Sequence, residues 1–218
     1  MPAQPPKPAS EVFQPQQMAA AGIAFLAVCA AAVAACVAGV FSSENYRAFT
    51  EIENTYRGLI AAELFFVIFV WPLFSRRAGA TGAPALAMLL VLSVPLVLIA
   101  VSVSNVSAAQ VLRTQSLLFA VGAAAVAACK LMRRAGEQPG RFYYLAAAAL
   151  AGALPVAQFI LLDVAGRGLQ WLSCFSPFWA MELAMRSEPE VPRAYWPLSL
   201  CFFAAVTIGL EAAARRRK

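Results

Sequence analysis

The chain has 218 residues, of which 61% are hydrophobic and only 13% charged, with a net charge of +6 and a mean hydropathy of +0.71. Charged residues make up about a quarter of an ordinary soluble domain, so half the usual solvating surface is missing and a soluble globule is excluded. The sequence has no histidine, which removes bis-His haem ligation, His-bound zinc, His proton relays and Ser–His hydrolysis.

Residues 1–17, "MPAQPPKPASEVFQPQQ", are rich in Pro and Gln and lack an apolar core segment. They read as a disordered tail and not as a signal peptide. From Met18 to Phe41 there is no charge, and at 1.5 Å per residue such a helix crosses a hydrocarbon core of about 30 Å. Residues 42–57 are polar and acidic and read as a loop with some helical character. A second span covers about 58–74, "GLIAAELFFVIFVWPLF", and Arg76 and Arg77 stop it. The third runs over about 84–103, with Pro95 expected to kink it. "SVSNVSAAQ" (102–110) makes a tight turn into a fourth span at 111–129, which Lys130 ends. The fifth span is placed at 142–162 and the sixth at 194–210. Tyr143, Tyr144, Tyr195 and Trp196 stand at span ends, where aromatic belts form. Residues 213–218 are a basic tail. The expected fold is an all-α integral membrane protein with six transmembrane helices and a membrane domain at 18–212.

Orientation follows from the loops. With both termini inside, the cytoplasmic segments hold Lys7, Arg76, Arg77, Lys130, Arg133, Arg134, Arg141 and the basic residues 215–218. The outer loops hold Glu44, Glu51, Glu53, Asp163, Glu182, Glu188 and Glu190. The excess of Lys and Arg inside places both termini in the cytoplasm, and the expected location is a bacterial-type inner membrane. Basic clusters beside spans meet anionic lipid heads, so the bilayer and not nucleic acid is the expected partner. The five cysteines are scattered, with no C-x-x-C pair, so neither a metal cluster nor a disulfide framework is expected. No cofactor is expected.

The stretch "QWLSCFSPFWAMELAM" (170–185) is too short and too interrupted by Pro177 to cross the membrane, and too apolar for an ordinary loop. Ser176 is a candidate N-cap, Pro177 fits the first helical position, and Glu182 offers a polar face. A short helix lying in the outer interface between spans five and six is expected.

These features, together with three local phrases, resemble the ABC-2-type transporter permeases. "NVSAAQVL" (105–112) is similar to the turn those permeases carry between spans three and four. "FSPFWAMELA" (175–184) resembles the stretch before their final helix, and "EAAARRRK" resembles their usual ending. The resemblance covers roughly residues 18–218. It implies a homo- or heterodimer meeting at the first and fifth spans and driven by a separate cytoplasmic P-loop ATPase. Arg76, Arg77, Arg133 and Arg134 are the candidate contacts to that cytoplasmic partner. It also implies an outer gate or lateral rim at Ser176, Pro177, Phe178, Trp179 and Glu182. One family feature is missing: where a Gly-Glu-containing docking helix follows span two, this chain has only "SRRAGATGAP".

Glu63 is the only acid well inside a predicted span. A carboxylate in hydrocarbon is costly, which makes it a candidate proton or cation site. Against this, it is expected about five residues, or roughly 8 Å, from the outer end, within reach of the headgroups. Small residues at spacing four, Ala27, Ala31, Ala35 and Gly39, with Gly122 in the fourth span, offer either a dimer face or packing within one bundle. The chain carries no P-loop and no nucleophile–base pair, so an enzymatic role is not expected. Three functions are carried forward: an ABC-2-type permease subunit, a permease-derived scaffold that transports nothing, and an ion-coupled carrier using Glu63.

Overall fold

The computed structural model describes residues 15–42, 47–75, 82–134, 139–165, 174–186 and 195–216. Among them every regular element is helical: α1 (Pro15–Ser42), α2 (Arg47–Phe65), α3 (Trp71–Ser75), α4 (Gly82–Val103), α5 (Ala108–Arg134), α6 (Pro139–Ala148), α7 (Leu154–Ala165), α8 (Pro177–Met185) and α9 (Tyr195–Arg216). Two π-helical stretches, Phe66–Val70 and Ala149–Ala153, join α2 to α3 and α6 to α7. Six stretches are long and apolar enough to cross a membrane: Met18–Ala38, Asn54–Phe74, Pro84–Val103, Ala108–Met132, Phe142–Leu161 and Tyr195–Arg216. The chain is therefore a multi-pass membrane protein with the expected six spans. In hydrocarbon no water satisfies a free backbone group, and a helix satisfies them all within one segment.

The second and fourth spans form the centre. Half of each is buried, α1 lies along α2, and α9 lies along α5. Phe25 of α1 meets Phe66 edge-to-face with ring centroids 5.0 Å apart. Gly122 allows the closest approach in the core. A Cβ there would stand 2.5 Å from Leu86 Cδ2 and 2.9 Å from Val67 Cγ1, so α5 packs on α4 and on the π-helical stretch only because this side chain is absent. Gly122 thus serves packing within the bundle, whereas Ala27, Ala31 and Ala35 are exposed on its outside.

Both π-helical stretches stand just ahead of a proline. Pro72 has no N–H to give the carbonyl four residues back, that of Ile68. The helix widens instead, with the Trp71 N–H reaching the Phe66 carbonyl. The fifth span supplies the donor that Pro72 lacks and adds a second beside it. Tyr143 Oη donates to the Ile68 carbonyl at 2.8 Å and Tyr144 Oη to the Phe69 carbonyl at 3.2 Å. Tyr143 is buried, so it joins two spans and does not stand in an aromatic belt. It is the one buried residue among the described side chains of the fifth span, which otherwise lies on the outside of the bundle. Pro95 sits inside α4 without ending it.

The helical character expected in the polar segment before the second span is a full helix from Arg47, and α1 begins at Pro15, inside the segment read as a tail. Near the other end of the bundle, Lys130 Nζ bonds both carboxylate oxygens of Glu211, at 2.8 and 2.7 Å, clamping the fourth span to the sixth.

Candidate functional site

Glu63 does not reach the surface. Its side chain is fully buried, and helix rise alone misplaced it because α2 continues past the apolar stretch and other elements cover that end. Gln115 Nε2 donates to Glu63 Oε2 at 3.1 Å. Ser93 of α4 also faces the carboxyl, yet Oε1 has no hydrogen-bond partner among the described residues. Among the described residues no cation pairs with it. An acid held in an apolar bundle without a positive partner is the exception that marks functional sites in membranes.

This carboxyl belongs to a longer polar seam. Tyr56 lies seven residues before Glu63, two helical turns away on the same face of α2. Its hydroxyl is 2.7 Å from Thr114 Oγ1. The Thr114 hydroxyl proton goes to its own helix, toward the carbonyls of Gln110 (2.9 Å) and Val111 (3.0 Å), so Tyr56 is the donor between the two. The Tyr56 N–H donates to Ser104 Oγ at 3.1 Å, which ties the second span to the turn between α4 and α5. That turn is capped by a reciprocal pair. The Ser107 N–H and hydroxyl both donate to Gln110 Oε1 at 2.8 Å, and the Gln110 N–H returns to Ser107 Oγ at 3.3 Å.

Gln110 extends the seam to α8, its Nε2 donating to the Met185 carbonyl at 2.6 Å. The helix expected at 176–185 forms from Pro177 to Met185 and packs against α5, α9 and α2. Pro177 takes the first helical position, and the Ser176 backbone is extended as at an N-cap, with its carbonyl accepting from the Ala180 N–H at 2.8 Å. The Ser176 hydroxyl makes no capping bond and is buried without a partner among the described residues. Pro177, Ala180, Met181, Ala184 and Met185 form the buried face. Phe178 and Trp179 are half-buried, Phe178 against the main core. Glu182 lies between two arginines, 3.9 Å from Arg57 and 3.6 Å from Arg186. The Arg113 guanidinium stands 6.0 Å from the ring centre of Trp196 at the start of α9.

The structure therefore joins two features that stand 114 residues apart in sequence, Glu63 and the helix that starts at Pro177, through side chains of α5. Tyr56, Ser93, Ser104, Gln110, Thr114 and Gln115 complete the seam, and sequence reading singled out none of them as site residues. A signal was present: Ser104, Ser107, Gln110 and Thr114 recur every three or four residues at the mouth of an apolar span, the spacing of one helix face. Of the candidate cytoplasmic contacts, Arg76 and Arg77 lie outside the described residues. Arg133 and Arg134 end α5, with side chains outside the described set.

No family model, curated protein or solved structure matches the chain.

Proposed function

We propose that the chain is a permease-like membrane subunit of an ABC-2-type export system, forming a translocation unit with a separate cytoplasmic P-loop ATPase. The seat of α8 carries this reading. A short apolar helix between the last two spans, in the stretch that resembles those permeases, closes one end of the bundle over a buried polar seam. In this reading both termini are cytoplasmic and the α8 end faces outward. Ser176, Pro177, Phe178, Trp179 and Glu182 then belong to the outer gate. Its polar latch is light: one amide–carbonyl bond from Gln110 and a half-exposed Arg57–Glu182–Arg186 cluster, each worth on the order of 1 kcal/mol. A latch of that size suits an element that a motor must move. The exposed Ala27, Ala31 and Ala35 face and the outlying fifth span leave room for a second permease subunit.

Affinity purification from mild detergent with mass spectrometry tests the assignment. A P-loop ATPase recovered in near-equal amount is the expected result. A folded preparation without one moves the assignment to a permease-derived scaffold. Phe178→Ser with Trp179→Ser tests the gate, which is lost as an idea if transport by the folded variant is unchanged.

The burial of Glu63 favours a second reading, a proton- or cation-coupled carrier. In proteoliposomes an ion flux abolished by Glu63→Gln but retained by Tyr56→Phe would support it. No flux in the unaltered protein removes it.

A further inference from the structure

Four helices each bring one polar side chain to one point in the bundle: Cys29 of α1, Glu63 of α2, Ser93 of α4 and Gln115 of α5. Cys29, Glu63 and Ser93 are fully buried. An ionised Glu63 at that point would be a buried charge, which needs donors on both oxygens and a counter-charge nearby.

Neither need is met among the described residues. Gln115 donates to Oε2 at 3.1 Å, while Oε1 has no partner. The titratable groups that face the carboxyl are the Cys29 thiol and the Tyr56 phenol, and neither can supply positive charge. The helix α4 has no titratable residue, and Arg57 of α2 pairs with Glu182. On α5, Arg113 stands against Trp196 near one end, Lys130 binds Glu211 near the other, and Cys129 packs with Tyr143.

The hydrogen bonds are arranged for a neutral acid. The Ser93 hydroxyl gives its proton to the Leu90 carbonyl at 2.9 Å, so it turns lone pairs toward Glu63. The Tyr56 proton is likewise committed to Thr114. Lone pairs repel a carboxylate, which can only accept, but they suit a neutral acid, whose O–H donates. The carbonyl oxygen of that acid still accepts from Gln115. The same inventory separates a proton from a metal ion. A hard cation of the calcium or magnesium kind gathers about six oxygen ligands, carboxylates foremost. Among the described residues no cluster of three His, Cys, Asp or Glu side chains could hold a metal, whereas a proton needs one acceptor atom.

We infer that Glu63 is a proton-binding site, with the proton on Oε1 and with Oε2 held by Gln115. The inference rests on the ion-coupled reading for the choice of residue, narrows its ion to a proton, and requires no flux.

The test is infrared spectroscopy of the full chain in detergent at neutral pH. A neutral carboxylic acid has a C=O stretch clear of the amide bands, which ionised surface acids lack. The expected result is one such band, removed by E63Q. Q115L should keep the band and move it to higher wavenumber, because the carbonyl oxygen loses its donor. Absence of a neutral-acid band that depends on Glu63 overturns the inference. So does a Glu63 carboxylate band that shifts on adding sodium or calcium, which would assign the site to a metal cation. If E63Q fails to fold, Q115L decides, since a band that does not move belongs to another acid. The carrier reading fails separately. The acid band in a protein without ion flux keeps the proton site and removes the carrier, whereas flux lost in E63Q without such a band keeps the carrier and overturns the proton site.

Discussion

Tyr56, Thr114, Gln115 and Glu63 are polar side chains inside an apolar bundle, and whether each oxygen has a partner sets opposite expectations for Tyr56 and Glu63. Tyr56→Phe deletes one buried hydroxyl and leaves Thr114 its own helix carbonyls as partners. Thermal unfolding in detergent should show a loss of about 1 kcal/mol. Glu63→Leu removes an oxygen that has no partner as well as one that has. An orphaned buried acceptor costs about 1–3 kcal/mol and a typical bond returns about 1, so the variant should be at least as stable as the parent. A destabilised Glu63→Leu protein would show that the carboxyl holds the bundle together and is not retained for a function. At the other end, Lys130 and Glu211 are each about a third exposed. A double-mutant cycle with methionine replacements should give a coupling of about 0.5–1 kcal/mol that shrinks with added salt.

The behaviour of whole elements turns on one proline and one glycine. Pro72 opens the second span into a π-helical stretch, and the carbonyls of Ile68, freed by the proline, and of neighbouring Phe69 become the docking point for the fifth span. Tyr143→Phe should therefore cost about 1 kcal/mol and should also loosen the fifth span selectively. Hydrogen exchange should rise in α6 and α7 while α5 and α9 stay protected. Uniform exchange across all spans would refute the idea that two tyrosines fix this helix. Gly122→Leu puts side-chain atoms where Leu86 and Val67 already stand. A loss of about 1–3 kcal/mol or failure to fold is expected, while Gly209→Ala, with open space around it, should be silent.

For the molecule as a whole, the orientation proposal predicts which surface labels. In a cysteine-free background, Asn105→Cys at the exposed turn should react with a membrane-impermeant maleimide from outside the cell, and Arg215→Cys should react only after lysis. The reverse pattern would invert the topology and place α8 in the cytoplasm. Native Cys174 needs no such replacement to stay silent. Burial pushes its thiol up, more than the neighbouring Ser199 hydroxyl brings it down, so the reactive thiolate is scarce at neutral pH.

The number of spans was legible because crossing a bilayer is a property of local length and composition: about twenty apolar residues suffice wherever they pack. The short helix after Ser176 was legible for a similar reason, since Pro177 at the first helical position and an apolar run that is too short are both local features. Glu63 was visible as the lone acid of its span, but its depth was not. Full burial depends on α4 and α5 standing against α2, and no residue of the second span records that. The same holds for Tyr143, whose place at a span end suits an aromatic belt equally well until Ile68 of another helix presents a free carbonyl. By itself the sequence determined that this chain lies in a membrane, how often it crosses, and where polar and basic residues interrupt the crossings. Only the tertiary structure decided which helices meet. It brought Glu63, Gln115, Thr114, Tyr56 and Gln110 into one seam beneath α8. Hydrophobicity has no direction and puts a helix into lipid without choosing its neighbours, whereas a hydrogen bond or an ion pair exists only once two distant segments have been placed within reach of each other.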